Sequence, residues 1–422
     1  MKKMQRKLPK GWRWEKIGDH ISNFQSGLAC GEKSKNTGHP HLRMNNISKE
    51  FKLDLDLLWK IPATDKEIEK YSVQKGDLLF NNTNSSELVG KSCLFEIKSN
   101  DKFLFSNHLT KIQTKRTMSS KYLLYWISFL WLKRYFKDNC DKWVNQAAAR
   151  AEDVLFPHVI PFPPTYDEQI AIANKLESKM ADIEKMRQAA LRQKEAVDVF
   201  REALLRRYFP YEEGDSLPKG WQWYELGDIL KFKNGINFSS SEVGQGTLTV
   251  DVFNMYTENL YPKLNNLYRV NKNISNEYLL KEDDILFVRS SVKKEGVGWP
   301  TVFKGYKEPV SFCGFIIRGR LLRDGIDPKY LVLYSRMASV REKFISASGQ
   351  TTITNISQDN LKRVKIPVAN KMSEQKEIVQ KIETRLLGIE TLQHASERQS
   401  EAIQALPAAI LREVFDFQEA NA

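Results

Sequence analysis

The chain has 422 residues but only four cysteines, Cys30, Cys93, Cys140 and Cys313, far apart and in no CxxC pair. That spacing supports neither a zinc ribbon nor a disulfide framework, and it points to a reducing, cytoplasmic setting. Long hydrophobic runs are also missing. The longest apolar patch, near 122–132, holds about eleven residues, whereas a membrane-crossing helix needs roughly 20, so it reads as a buried helix. The basic start, Met1-Lys2-Lys3-Met4, is not followed by an apolar segment, so neither a secretory signal nor a membrane partner is expected.

Catalytic signatures are lacking too. There is no Asn-Pro-Pro-aromatic or Asp-Pro-Pro-aromatic methyltransferase motif, no Pro-Asp…(Asp/Glu)-x-Lys nuclease motif and no Gly-x-Ser-x-Gly elbow. Gly90-Lys91-Ser92 looks like the end of a phosphate loop. Ser85 stands where that loop needs glycine, however, and the residues after Ser92 read as a strand where the motif needs a helix. His39 and His41 flank Pro40 with no Cys, His or carboxylate partner at helical spacing, so no metal site is expected. Asp283-Asp284 and the pair Asp54/Asp56 read as turn and solvent-face residues. A fused methyltransferase-nuclease is thereby disfavoured, and no residue is assigned a catalytic role.

What is present in excess is positive charge: 65 Lys and Arg against 52 Asp and Glu, a net +13. Such a surplus favours an anionic partner, nucleic acid first. At roughly 100–200 residues per domain the length allows two to four domains.

The chain also repeats itself. Leu8-Pro9-Lys10-Gly11-Trp12-Arg13-Trp14 returns as Leu217-Pro218-Lys219-Gly220-Trp221-Gln222-Trp223, and both copies run on to Gly-Asp, at Gly18-Asp19 and Gly227-Asp228. Lys75-Gly76-Asp77-Leu78-Leu79-Phe80 returns as Glu282-Asp283-Asp284-Ile285-Leu286-Phe287, Lys121-Tyr122-Leu123 as Lys329-Tyr330-Leu331, and Asp167-Glu168-Gln169 as Ser373-Glu374-Gln375. The order is kept, so this is a tandem duplication of a unit of about 200 residues.

Each copy has two parts. The first is mixed. Stretches such as 77–80, 92–97 and 285–289 read as strands, 123–136 and 330–344 as helices, with Gly, Asn and Ser clusters between them. The proline-rich run at 157–164 ends the first mixed part, and Pro367 marks the same boundary in the second. Beyond 164, no Gly or Pro occurs before Pro210, and one long helix is expected. Ile172, Leu176, Ile183, Met186, Ala190, Val197, Phe200 and Leu204 form a heptad-like stripe, matched 206 residues on by Ile378, Ile382, Ile389, Leu392, Ser396, Ile403, Leu406 and Ile410. A narrow stripe of this period is a coiled-coil seam, although core residues of one domain would also give an apolar face. At ~1.5 Å per residue the stretch 168–209 would span roughly 63 Å, and Pro407 is expected to kink the second helix.

Recognition chemistry remains. After the repeated strand the first copy has Asn81, Asn82, Thr83, Asn84 and Ser85, with Lys91 just beyond; the second has Arg289, Ser290, Lys293 and Lys294. Asn and Gln can bond adenine edges, Arg and Lys guanine, and Ser or Thr either. Equivalent places with different residues suit one scaffold presenting two reading loops; a plain polar turn is the simpler alternative. Gln146 and Gln350, each just before the boundary to a long helix, are further candidates.

Taken together, these residues resemble the specificity (S) subunit of type I restriction-modification systems. The likeness rests on the doubled Leu-Pro-Lys-Gly-Trp-x-Trp…Gly-Asp opening and on the helix entries Ile160-Pro161-Phe162-Pro163-Pro164…Glu168-Gln169 and Ile366-Pro367…Glu374-Gln375. It rests also on the helix exits, 204–209 and 406–415. Val368-Ala369-Asn370 departs from the first entry's Pro-Pro. The resemblance implies an α+β chain. Two pseudo-symmetric mixed α/β target recognition domains, 1–165 and 211–371, are joined by two long helices, 166–210 and 372–422, forming an antiparallel coiled coil. Each domain would read one half of a split double-stranded DNA site, and the helices would set the gap. Two methyltransferase (M) subunits would use S-adenosylmethionine to methylate adenine, and two restriction (R) subunits would use ATP and Mg. Half-sites read from one face of the duplex lie ~34–36 Å apart. A coiled-coil scaffold that binds only proteins is the competing reading.

Overall fold

Gly76 and Asp283 stand at equivalent turns, both with positive φ, 93° and 67°, and each turn sends the chain into a fully buried strand, Leu78–Asn81 and Ile285–Val288. The apolar runs Leu78-Leu79-Phe80 and Ile285-Leu286-Phe287-Val288 suit strands covered on both faces. The computed structural model describes residues 7–30, 37–144, 146–348 and 353–417. They divide into two units: 1–188 with 400–422, and 189–399.

In the first unit the buried strand lies inside a four-stranded antiparallel sheet, ordered Ile21–Ser26, Leu109–Thr114, Leu78–Asn81, Ser92–Leu94. A smaller sheet pairs Trp59–Ile61, His39–Leu42 and Leu104–Phe105, the last two in parallel. The opening motif, Arg13–Lys16, pairs antiparallel with Val159–Phe162, the helix-entry motif. In the second unit each of these recurs. The sheet order is Leu230–Asn234, Ile316–Leu321, Ile285–Val288, Pro300–Val302. The smaller sheet joins Tyr268–Val270, Val243–Val250 and Val310–Phe312, and Trp221–Glu225 pairs with Lys365–Ala369. The mixed α+β reading holds, and the main sheet, the smaller sheet and the motif pairing recur in both units.

The apolar patch near 122–132 is the buried helix Ser120–Leu132. It ends at Leu132, short of the helix end expected at 136. Arg134 takes a left-handed conformation, φ 65°, and a single turn, Tyr135–Asp138, follows. Likewise 330–344 is two helices, Pro328–Ser335 and Ala338–Ser346, broken at Arg336-Met337. The strand expected over 92–97 is shorter, Ser92–Leu94. Gly90 is explained by packing rather than by phosphate: a Cβ there would lie 2.4 Å from the Phe136 ring.

The long helices are Tyr166–Tyr208 and Met372–Phe415, and the second runs through Pro407 without ending. Each unit takes a share of both. In the first, Ala173, Leu176, Leu411 and Phe415 belong to one core with Tyr122 and Trp126, and Phe415 packs edge-on against the Tyr122 ring at 5.6 Å. In the second, Val197, Leu204 and Phe209 share a core with Val379, Ile382 and Ile389. There Arg201 bonds Gln393 and Arg385 bonds Tyr208, so one helix descends as the other rises.

The seam needs a correction. Gln169, Leu176, Ile183, Ala190, Val197 and Leu204 recur at strict heptad spacing and are all buried, as are Gln375, Ile382, Ile389, Ser396 and Ile403. Met186, Phe200 and Leu392, expected in it, are 49 %, 55 % and 51 % exposed. Ile172, Ile378, Leu406 and Ile410 are half-buried. The second column lies four residues after the first, at Ala173, Met180, Arg187, Arg201 and Tyr208, broken by the exposed Lys194, and its polar members hid it from a hydrophobic count.

Candidate nucleic-acid interface

In each unit two segments far apart in sequence are laced side by side by backbone pairing. In the first, Thr83–Asn84 pairs with Ala147–Ala148, which pairs in turn with Asp141–Lys142. Two candidate loops, around 81–86 and at Gln146, thus become one edge. In the second, Ser290–Ser291 pairs with Thr354–Asn355. That brings the loop at 289–294 beside the segment that follows Gln350, which itself lies outside the described residues.

On the first edge Thr83 and Asn84 are half-buried, and Ser85, Lys142 and Gln146 are exposed. Asn84 Oδ1 accepts the Ser85 amide at 2.8 Å, so its Nδ2 is the group left to donate outward. Beside Gln146, Trp143 and Val144 project into solvent, Val144 at 98 % exposure. Trp143 and Val144 were missed as candidates; the available signal was two apolar residues at the tip of a polar hairpin.

Three first-unit candidates turn inward. Asn81 is fully enclosed at the end of its strand. Asn82 is buried and donates to the Asn107 carbonyl and Thr110 Oγ1, at 3.2 and 3.0 Å. Lys91 is 6 % exposed, donates Nζ to the Ile47 carbonyl, and burial pushes its ammonium below the ordinary lysine range. Expected on an outward loop, all three instead point into the fold and support the edge from behind.

On the second edge Lys293 and Lys294 are exposed and Arg289 is half-buried, donating to the Gly314 carbonyl at 3.1 Å. Ser290 and Ser291 are buried; Ser290 bonds Asn355 and Ser291 meets the Tyr256 hydroxyl at 2.9 Å. Phe253, Val292 and Phe315 stand exposed around them and line a cleft of about 970 Å³ with Ser290, Ser291 and Lys293. The two edges thus share a paired core but present different side chains: Asn84, Ser85, Lys142, Trp143, Val144 and Gln146 on one, Lys293, Lys294 and the apolar Phe253, Val292 and Phe315 on the other.

Behind the second edge, Arg336 and Arg341 lie over the Trp299 ring at 4.7 and 5.5 Å. Burial pushes Arg336 down to about 9 and Arg341 down to about 10. These cations are spent on carbonyls of the fold, Arg341 on Glu295 and Val297, and do not face outward.

Residues 218–397 match the type I restriction modification DNA specificity domain. Across the length, the chain is 25 % identical to a protein of Methanocaldococcus jannaschii assigned as the MjaX specificity subunit of a type I restriction enzyme, covering 96 % of this chain and 92 % of that one. It is 20 % identical to the EcoKI specificity subunit of Escherichia coli, covering 97 % and 89 %. Among solved structures, a chain from a study of complex assembly and conformational transition of the type I R-M system shares the fold at a TM-score of 0.74, with 19 % identity over 97 % of this chain and 98 % of that one. The HsdS subunit from Thermoanaerobacter tengcongensis follows at 0.52, with 19 % identity over 99 % of both chains. Along nearly its whole length the chain is thus similar to specificity subunits of type I restriction enzymes, and residues 218–397 match their DNA specificity domain.

Proposed function

We propose that this chain is the DNA-reading subunit of a type I restriction-modification complex and does no chemistry itself. Each mixed domain reads one half of a bipartite double-stranded site, and the two long helices set the gap between them. Two methyltransferase subunits, carrying S-adenosylmethionine, dock on the helices; two restriction subunits, using ATP and Mg, join them. The complex works in the cytoplasm. The observation that carries this reading is the pair of laced edges: one scaffold, used twice, with different side chains at equivalent outward positions. Two copies of one domain with identical edges would read a repeat, whereas different edges read two sequences. Phosphate contacts from the basic surplus give affinity and edge contacts to bases give sequence. Among the described residues no helix is long and apolar enough to cross a membrane.

The test is methylation of a random-sequence duplex library by this chain with its methyltransferase subunits. Two short conserved sequences separated by a fixed gap are expected, with DNA binding that weakens steeply with salt. Assembly of the subunits with no sequence preference, and DNA binding insensitive to salt, would instead favour the protein scaffold.

A further inference from the structure

Each mixed domain carries a glutamate at the same place. Asn46 and Asn254 sit in matching one-turn helices, Met44–Asn46 and Val252–Met255. Each accepts on Oδ1 the amide three residues before it, from Arg43 and Asp251, both at 2.9 Å. Each donates from Nδ2 to a carbonyl further on, Asp54 at 2.8 Å and Lys263 at 2.9 Å. Four residues after each asparagine stand Glu50 and Glu258. Both reach an arginine of the same long helix: Glu50 meets Arg187 at 3.1 Å in the first unit, and Glu258 meets Arg201 at 2.7 Å in the second.

Arg187 and Arg201 lie two heptads apart in one column of that helix. The repeat makes Gln393, 206 residues on, the counterpart of Arg187. The charge is missing there, and Gln393 instead accepts from Arg201 at 2.8 Å. The helix 166–208 therefore supplies both fastening cations.

The loops bearing the glutamates are held from behind by different residues. In the first unit Lys91 bonds the carbonyl of Ile47. In the second Arg336 bonds the carbonyls of Glu258 itself and of Asn259, each at 2.8 Å. An exposed ion pair between two loose side chains contributes little. Here the loops are pinned, and the arginine side chains are only 23 % and 21 % exposed.

We infer that Glu50–Arg187 and Glu258–Arg201–Gln393 are positioning contacts that fix the angle at which each recognition domain leaves the helices. Through that angle they select the gap between half-sites that the complex accepts. The functional part of this inference rests on the DNA reading proposed above. A domain packed on a helix by apolar contacts can roll about it, because such contacts carry no direction; a charged pair off the packing axis removes that freedom.

The experiment compares Glu258→Arg, Arg201→Glu and the double exchange, with Glu50→Arg and Arg187→Glu as the matching set. In the library assay, each single reversal keeps both half-site sequences, widens the range of accepted gaps and slows methylation at the parental gap by roughly three- to tenfold. The double exchange narrows the gap range again. Single reversals with the parental gap range and rate, or a double exchange no better than the singles, overturn the inference. A second readout needs no DNA. Nitroxide labels at the exposed positions Lys307 and Arg398 of the second unit, with Cys30 and Cys140 replaced by Ser, report the distance between domain and helix by pulsed electron resonance. The distribution broadens in Glu258→Arg and sharpens in the double exchange; equal widths in all three overturn the inference. If the unsubstituted chain directs no sequence-specific methylation, the DNA reading fails, and the distance measurement still judges the ion pairs.

Discussion

Gln375, fully buried, accepts the backbone amide of Asp327 on Oε1 at 2.9 Å. Its Nε2 donates to the carbonyls of Gly325 and Ala369, at 3.0 and 2.7 Å. Asp327 is the residue that caps the buried helix Pro328–Ser335. Gln169 repeats the arrangement, accepting from the cap residue Ser119 at 2.9 Å and donating to Thr117 at 3.0 Å. Each long helix thus clips the start of its domain's central helix through one amide side chain. Gln375→Leu leaves an amide and two carbonyls unpaired in the interior, and each such group costs about 1–3 kcal/mol. We expect a loss of at least about 3 kcal/mol in chemical denaturation of the second unit; a loss below about 1 kcal/mol would show that the clip is redundant.

The seam makes a paired prediction. Ile183 is buried and Met186, one turn away, is half exposed. Ile183→Ala should cost roughly 2–5 kcal/mol, and Met186→Ala should stay within about 0.5 kcal/mol. Equal effects in thermal unfolding would contradict the heptad register described here.

Specificity should be divisible. Changing Asn84, Ser85 and Gln146 to Ala is expected to relax one half-site, and changing Lys293 and Lys294 the other. A good base contact is worth about 1–3 kcal/mol of discrimination. Asn82→Ala, by contrast, removes an interior hydrogen bond and should lower stability, leaving the preferred bases unchanged. The library assay reads all three. Loss of both half-sites in either exposed set would mean that those side chains hold only phosphates.

His41 gives a pH dependence. It is buried, and burial, with the Arg43 charge nearby, lowers its pKa from 6.5 to about 4. The folded chain therefore resists protonating it more than the unfolded chain does. Its contribution is intact above pH 6.5 and is lost as pH falls from 6.5 towards 4, by up to about 3 kcal/mol. His41→Phe should flatten the fall of unfolding free energy over that window; an unchanged slope would assign acid sensitivity elsewhere.

Much of this architecture was legible from residues. The doubled Trp motif and the helix-entry proline marked the boundaries because they pair with each other, Arg13–Lys16 against Val159–Phe162. One seam column was legible because Leu176, Ile183 and Val197 are apolar; the other was not, because Arg187 and Arg201 occupy it. The reading edges were half legible. Their polar residues were plain, but their direction was not. Asn81 is the buried last residue of its strand and Asn82 follows it inward, whereas Asn84 lies at the crossing with Ala147–Ala148 and Ser85 just past it. That crossing joins segments over sixty residues apart, a distance that local pattern does not reach.

The second unit is one continuous stretch of chain, but the first is not. Its core includes Leu411 and Phe415, and the Phe415 ring packs on Tyr122, Trp126 and Phe129. On the ribosome, then, the domain made first is finished last. It waits, with an apolar face uncovered, until all of 189–399 has been synthesised. A stop codon between Gln399 and Leu411 would leave the later domain whole and strip the earlier one of its lid.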